Sequence, residues 1–403
     1  MLKRRKSIMA STEKSINYTM RLFSACAIVL VVVGHIPSTG FNGPFDMFKP
    51  YSFQVAAFVF VAGYFYKESH EVHPFQYLKS RIKRLLIPLV AINAAYGCLV
   101  LLLKKLVGIT WGALSAQTLL VMPFTDGHQF LINMPMWFIA PLFFAELLNL
   151  LIRLPFKQVS STSLKETILL FAYLALGAIA IELGGADGLP SGWLLLVCRT
   201  LFFLACLGMG RFYARVLERY DTLPNVPYFA LLLAVQLVGI AALHGRYTYI
   251  PSWCQFPGGV VGTYFVTITG IAFLMRCCKM LAPSFGRSSF VAALAGNTFS
   301  IMCHHIFGFF LVCTCFGVLS VITPWFTSFD FTAYLSDWTY RWMPAAFPQT
   351  SLVYVAGGVF VSLLIHESWG RFKQFAMDAV HRGRTSLHQG QRGAGKGGSG
   401  EGA

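Results

Sequence analysis

Apolar stretches of about twenty residues recur along the chain, separated by short segments that hold nearly all of its charges. Windows long enough to cross a hydrocarbon core of about 30 Å fall near 21–37, 51–66, 85–107, 130–152, 167–183, 193–210, 226–244, 258–275, 299–322 and 351–370. They predict an all-α, polytopic integral membrane bundle of about ten transmembrane helices, with the second and fifth windows the shortest. No repeat of fixed period is visible, nor a matched pair of Gly/Pro-broken helices of the kind that inverted-repeat transporters use. After about residue 385 the chain reads SLHQGQRGAGKGGSGEGA, which has too little apolar surface to order itself. Three parts are therefore expected: a basic segment 1–20, a membrane domain 21–372, and a disordered Gly-rich tail 373–403.

Composition agrees with the pattern, with 56% hydrophobic and 12% charged residues and a mean hydropathy of +0.62 over 403 residues. The net charge of +16 could point to nucleic acid, but the basic residues sit on alternate loops. All of the 32 Lys and Arg except Lys49, Lys104, Lys105, Arg199, Arg246 and Arg341 fall on segments of one side. That bias predicts an even number of spans with both termini cytoplasmic, and it removes the need for a nucleic-acid partner. The first apolar run has no small-x-small cleavage site after it and reads as a retained signal anchor. The ten cysteines form no paired C-x-x-C pattern and read as small buried hydrophobes.

Against this background His35 stands out. It closes the run RLFSACAIVLVVVGH, where an ionisable group is costly and calls for a function. On one helix, fourteen steps bring Arg21 back to within about 40° of the His35 face, roughly 21 Å away along the axis. An imidazole titrates near neutrality and can take a proton from a hydroxyl, although a packed, inert His at a helix end fits the same pattern. A second feature is FQYLKSRIKRLLIPLV, where Lys79, Arg81, Lys83 and Arg84 lead into the third window. Such a cluster suits a polyanion such as the phosphates of coenzyme A, or serves as a topology signal beside lipid headgroups. The outward loops mix aromatic rings with polar groups: Asp46 and Lys49 in 37–50; Trp111, Asp126 and His128 in 108–129; Arg246, Tyr247, Tyr249, Trp253 and Gln255 in 245–257; Trp325, Asp330, Asp337, Trp338, Arg341 and Trp342 in 323–350. These side chains stack on sugars, and Trp and Tyr also gather at bilayer interfaces. His304 and His305 are adjacent and point about 100° apart, so neither they nor the His70 and His73 loop predicts a metal site.

Taken in order, these features resemble the integral membrane acyltransferase type 3 family. The carriers are VV-x-G-H ending at His35, FVFVAGYFYKE (Phe58 to Glu68), K-x-R-x-x-R-L-L-x-P from Lys79, MWFIAPLFFAELL with Trp137 and Glu146, RTLFFLACLGMGRFY from Arg199, and AGNTFSIMCHHIF with Asn297 and His305. The resemblance runs from about 20 to 370 and is nearest to the branch of fucose O-acetylases and polysaccharide acetyltransferases. The family usually carries an Arg eleven residues before the His; here that position is Ser24, and Arg21 lies one turn earlier.

The resemblance implies a cell-membrane O-acyltransferase, of the kind found in a bacterial inner membrane. It would move an acyl group, acetyl above all, from acetyl-CoA to a hydroxyl of a surface or exported glycan, with no permanently bound cofactor. It implies His35, with Arg21 and Glu146, at the reacting centre. Lys79, Arg81, Arg84 and Arg199 would serve the coenzyme A donor, and Asp46, Trp137, Asn297 and His305 the acceptor. Arg199 is an intramembrane charge that needs a carboxylate, a backbone carbonyl or a phosphate, and by type Glu146 is its best internal partner. A transporter or flippase for a lipid-linked sugar is the alternative use of the same polar residues.

Overall fold

The computed structural model describes residues 16–36, 48–159, 162–185, 188–244, 248–342 and 347–394, and within these the chain is helical with no strand, apart from one isolated bridge between Ile250 and Gln255. The main helices are α1 (Tyr18–Gly34), α2 (Pro50–Tyr64), α3 (Pro74–Val107), α4 (Leu131–Phe156), α5 (Ser163–Gly185), α6 (Gly192–Tyr220), α7 (Asn225–Leu243), α8 (Gly259–Phe285), α9 (Ser289–Gly296), α10 (Thr298–Ile322) and α11 (Ser351–Ala394). Every expected apolar window falls on one of them. Eight helices among the described residues are long and apolar enough to cross a membrane, and the first two windows fall on shorter ones, Tyr18–Gly34 and Ser52–Tyr64. The fifth window, short by hydropathy, lies within a 23-residue helix. Helix α11 continues through Ala394, into the segment 373–403 that the sequence assigns to a disordered tail.

Two helices organise the interior. Helix α6 packs on α2, α4 and α5, and nearly all of Cys198–Arg211 is buried. Helix α1 packs on α2, α8, α9 and α10. Where α2 meets α6 the backbones touch: a Cβ on Gly63 would lie 1.9 Å from the Leu207 carbonyl oxygen, and one on Gly210 2.0 Å from that of Phe60. Small residues permit such approaches, and no larger side chain fits either position.

Three irregularities shape the interior. Pro88 lacks the N–H that would complete the turn before it, and α3 widens there into a π turn over Ile82–Leu86. The first turns of α4 are tight 3-10 helix with a non-helical Asn133 (φ −130°, ψ 27°) just ahead of Pro135. Asn133 donates to the Asn93 side chain at 3.0 Å, so the broken backbone is buried among polar partners. Asn297 (φ −118°, ψ 20°) separates α9 from α10, and its amide donates to the Ala293 carbonyl at 2.8 Å.

At one end of the bundle, buried charges are matched. Arg153 forms a two-pronged pair with Glu166, at 3.1 and 2.8 Å, and donates to Asn149 at 2.9 Å. Arg211 donates to the Tyr66 carbonyl at 2.7 Å and to Glu68 at 3.0 Å, and Arg215 pairs with the same carboxylate. Burial disfavours the ionised Glu68 carboxyl, but the hydrogen bond from Arg215 and the charges of Arg215 and Arg211 outweigh it and hold Glu68 below the usual range.

Candidate active site

His35 follows the last residue of α1, and His305 lies on α10 beyond the Asn297 break. From the start of α1 to His35 is seventeen residues and from the start of α9 to His305 sixteen, so at 1.5 Å per residue both sit about 25 Å along their segments. The two rings meet at that level, 4.8 Å apart at 57°. His305 Nδ1 lies 2.8 Å from the Ile301 carbonyl, which only accepts, so this nitrogen carries the proton and Nε2 is the acceptor. His35 Nδ1 lies 2.8 Å from the Val31 carbonyl and 3.2 Å from that acceptor, so its N–H is shared between them. By this assignment the neutral His35 carries its basic lone pair on Nε2. The Trp342 ring adds a third flat surface, 5.9 Å from His35.

His35 lines a small apolar cavity with Ile28, Val31, Val55, Phe58, Pro135, Trp137, Phe138 and Met302. Its volume of about 30 Å³ leaves room for only a small group. The Asn133 break brings Pro135, Trp137 and Phe138 to its wall.

Of the residues singled out in the sequence, the structure brings His35, His305 and Trp137 together. Asn297 shapes the break below His305. Arg21 stays at the far end of α1 with its guanidinium 5.3 Å over the Tyr18 ring. Asp46 lies outside the described residues.

The expected pairing of Arg199 with Glu146 is not found. Glu146 is buried and pairs with Arg81 at 3.2 Å. Arg199, 1% exposed, donates to backbone carbonyls from two separate loops, Asp126 at 2.8 Å and Ser252, and lies over the Trp137 ring at 5.1 Å. Of the partners the sequence left open, the guanidinium meets backbone carbonyls rather than the favoured carboxylate.

The basic cluster also divides. Arg81 turns inward to Glu146 and stacks on Tyr77 at 4.7 Å, while Lys79, Lys83 and Arg84 are exposed. Arg81 and Arg84 share a face on a regular helix, and the π turn that Pro88 forces begins just after Arg81 and contains Arg84. The nearby His70 is half-buried and stacks on Tyr77 at 4.3 Å. Burial, with the charges of Arg81, Lys67 and Arg211, pushes its imidazole down to about 4.

His128 and Trp253 have no individual role assigned by the sequence. His128 donates from Nδ1 to Asp126, 3.1 Å to the carbonyl and 3.2 Å to the carboxylate, and its ring stacks on Trp253 at 4.2 Å. That hydrogen bond holds the Asp126 carboxyl below the usual range, against the opposing effect of burial. The available signal was the short D-x-H spacing of Asp126 and His128.

A family model described as an acyltransferase domain matches residues 18–366, from the first residue of α1 into α11, and so includes both imidazoles. The chain belongs to the acyltransferase type 3 family. No curated protein and no solved structure matches it. As a family member it is a membrane acyltransferase of multi-pass helical build.

Proposed function

We propose that this acyltransferase moves an acetyl group from coenzyme A to a hydroxyl of a surface or exported glycan, with His35 as general base. The observation that carries this reading is the tautomer of His35, set by its two acceptors, beside a small apolar cavity. A glycan oxygen attacks the thioester carbonyl as His35 Nε2 takes the hydroxyl proton. The carbon–sulfur bond then breaks, and the coenzyme A sulfur leaves with the proton that His35 returns. His305 touches neither substrate; it positions the His35 ring by accepting from Nδ1–H.

The donor enters from the basic end, which the distribution of Lys and Arg assigns to the cytoplasm. There the exposed Lys79, Lys83 and Arg84 meet its phosphates, while Arg81 is engaged with Glu146. Family membership favours bond formation over translocation of a lipid-linked sugar. The test is the ester content of the surface glycan in cells with the intact gene, without it, and with His35→Ala. Loss of the ester in both altered strains, at normal protein level and polymer length, is expected; esters that persist with His35→Ala remove the base.

A further inference from the structure

We propose that Trp253, His128 and Asp126 form a subsite for one pyranose ring of the acceptor, an inference that rests on the glycan reading above. Three rings form a nearly parallel stack: Trp137 and His128 at 6.5 Å and 22°, then His128 and Trp253 at 4.2 Å and 14°. The inner end, Trp137, is also a wall of the His35 cavity. The outer end, Trp253, is 40% exposed, and the Asp126 carboxylate near it is 35% exposed. An indole face receives the C–H groups of a sugar ring, and a carboxylate accepts from its hydroxyls. A ring bound there stands one short stack away from the base.

Interfacial anchoring accounts for an exposed Trp, but it does not account for how this one is held. The turn bearing it is closed by two reciprocal bonds, Ile250 N–H to the Gln255 carbonyl at 2.9 Å and Gln255 N–H to the Ile250 carbonyl at 3.1 Å. Cys254 sits in the left-handed region at φ 52°, a conformation costly for a residue with a side chain. Gly184 makes the room for it, since a Cβ there would lie 2.1 Å from the Cys254 carbonyl oxygen. Beneath the turn the buried Arg199 binds the carbonyls of Ser252 and Asp126 together, and so sets the indole and imidazole in register. Backbone strain held by a buried cation is the build of a ligand clamp rather than of an anchor.

The subsite is tested by equilibrium dialysis of the purified full-length protein in lipid nanodiscs. The probe is a set of tritiated oligosaccharides cut from the base-deacetylated surface glycan of the cells that make the protein. Trp253→Ala is expected to weaken binding at least tenfold and Trp253→Phe less than threefold, with the melting temperature of both unchanged. In the transfer assay Trp253→Ala is expected to raise KM for the oligosaccharide by the same factor and to leave KM for acetyl-CoA alone. Equal binding by Trp253→Ala and the unaltered protein overturns the subsite, as does absence of binding by the latter. Binding that depends on Trp253, in a protein that transfers no acetyl group from acetyl-CoA, sustains the subsite and overturns the acetyl-transfer reading instead.

Discussion

Arg153 and Arg199 are each 1% exposed, yet their surroundings are opposite. Arg153 meets the Glu166 carboxylate on two prongs, with Glu71 4.0 Å away, and its charge is cancelled where it sits. Arg199 is held by neutral carbonyl dipoles and the Trp137 face, with the Asp126 carboxylate near enough for the two charges to act on each other but not paired with it prong to prong. A cancelled pair ties elements together and costs dearly when one partner is lost. A guanidinium held by carbonyls instead fixes two loops at the end of the bundle where His128 and Trp253 lie. One end is built to hold the bundle and the other to present groups.

The largest effect expected from breaking this contrast is at Arg153. Arg153→Ala leaves Glu166 buried without its two-pronged partner and should cost about 3–5 kcal/mol, seen as lost folded protein in size-exclusion profiles and a lower melting temperature. At the other end, His305→Phe should keep the fold and lower kcat for acetyl transfer by about tenfold to a hundredfold, since the His35 ring keeps the Val31 carbonyl but loses the second of the two acceptors that orient it. His305→Gln, which can still accept from Nδ1–H, should recover part of that loss; equal rates for the two variants would sink the positioning role. Phe58→Ala enlarges the cavity and should raise the preference for propionyl-CoA over acetyl-CoA by about tenfold, read as a ratio of kcat/KM values. The smallest effect belongs to the exposed cations. Lys79→Ala with Arg84→Ala should raise KM for acetyl-CoA about threefold to tenfold at low salt and less at high salt, in keeping with screened surface charges.

The spans were legible because hydropathy is a local property, and His35 stood out because an imidazole in a hydrocarbon run is costly, a pattern that a packed, inert His shares. Its partner was visible as part of a motif, but the contact between residues 270 positions apart depends on how α1 and α10 are levelled. Arg199 misled because its partners are main-chain atoms, which have no signature in composition. Arg81 misled because spacing rules assume a regular helix, and Pro88 breaks that assumption four residues after Arg84.

The seam at Gly63 and Gly210 bears on how substrates arrive. At Gly63 and Gly210 the two helices have no side chain between them to reshuffle, so they cannot slide past or rock apart there without opening a gap beside the Arg211 cluster. The seam is therefore a fixed hinge-less joint, and any movement that admits a substrate is expected at helices other than this pair.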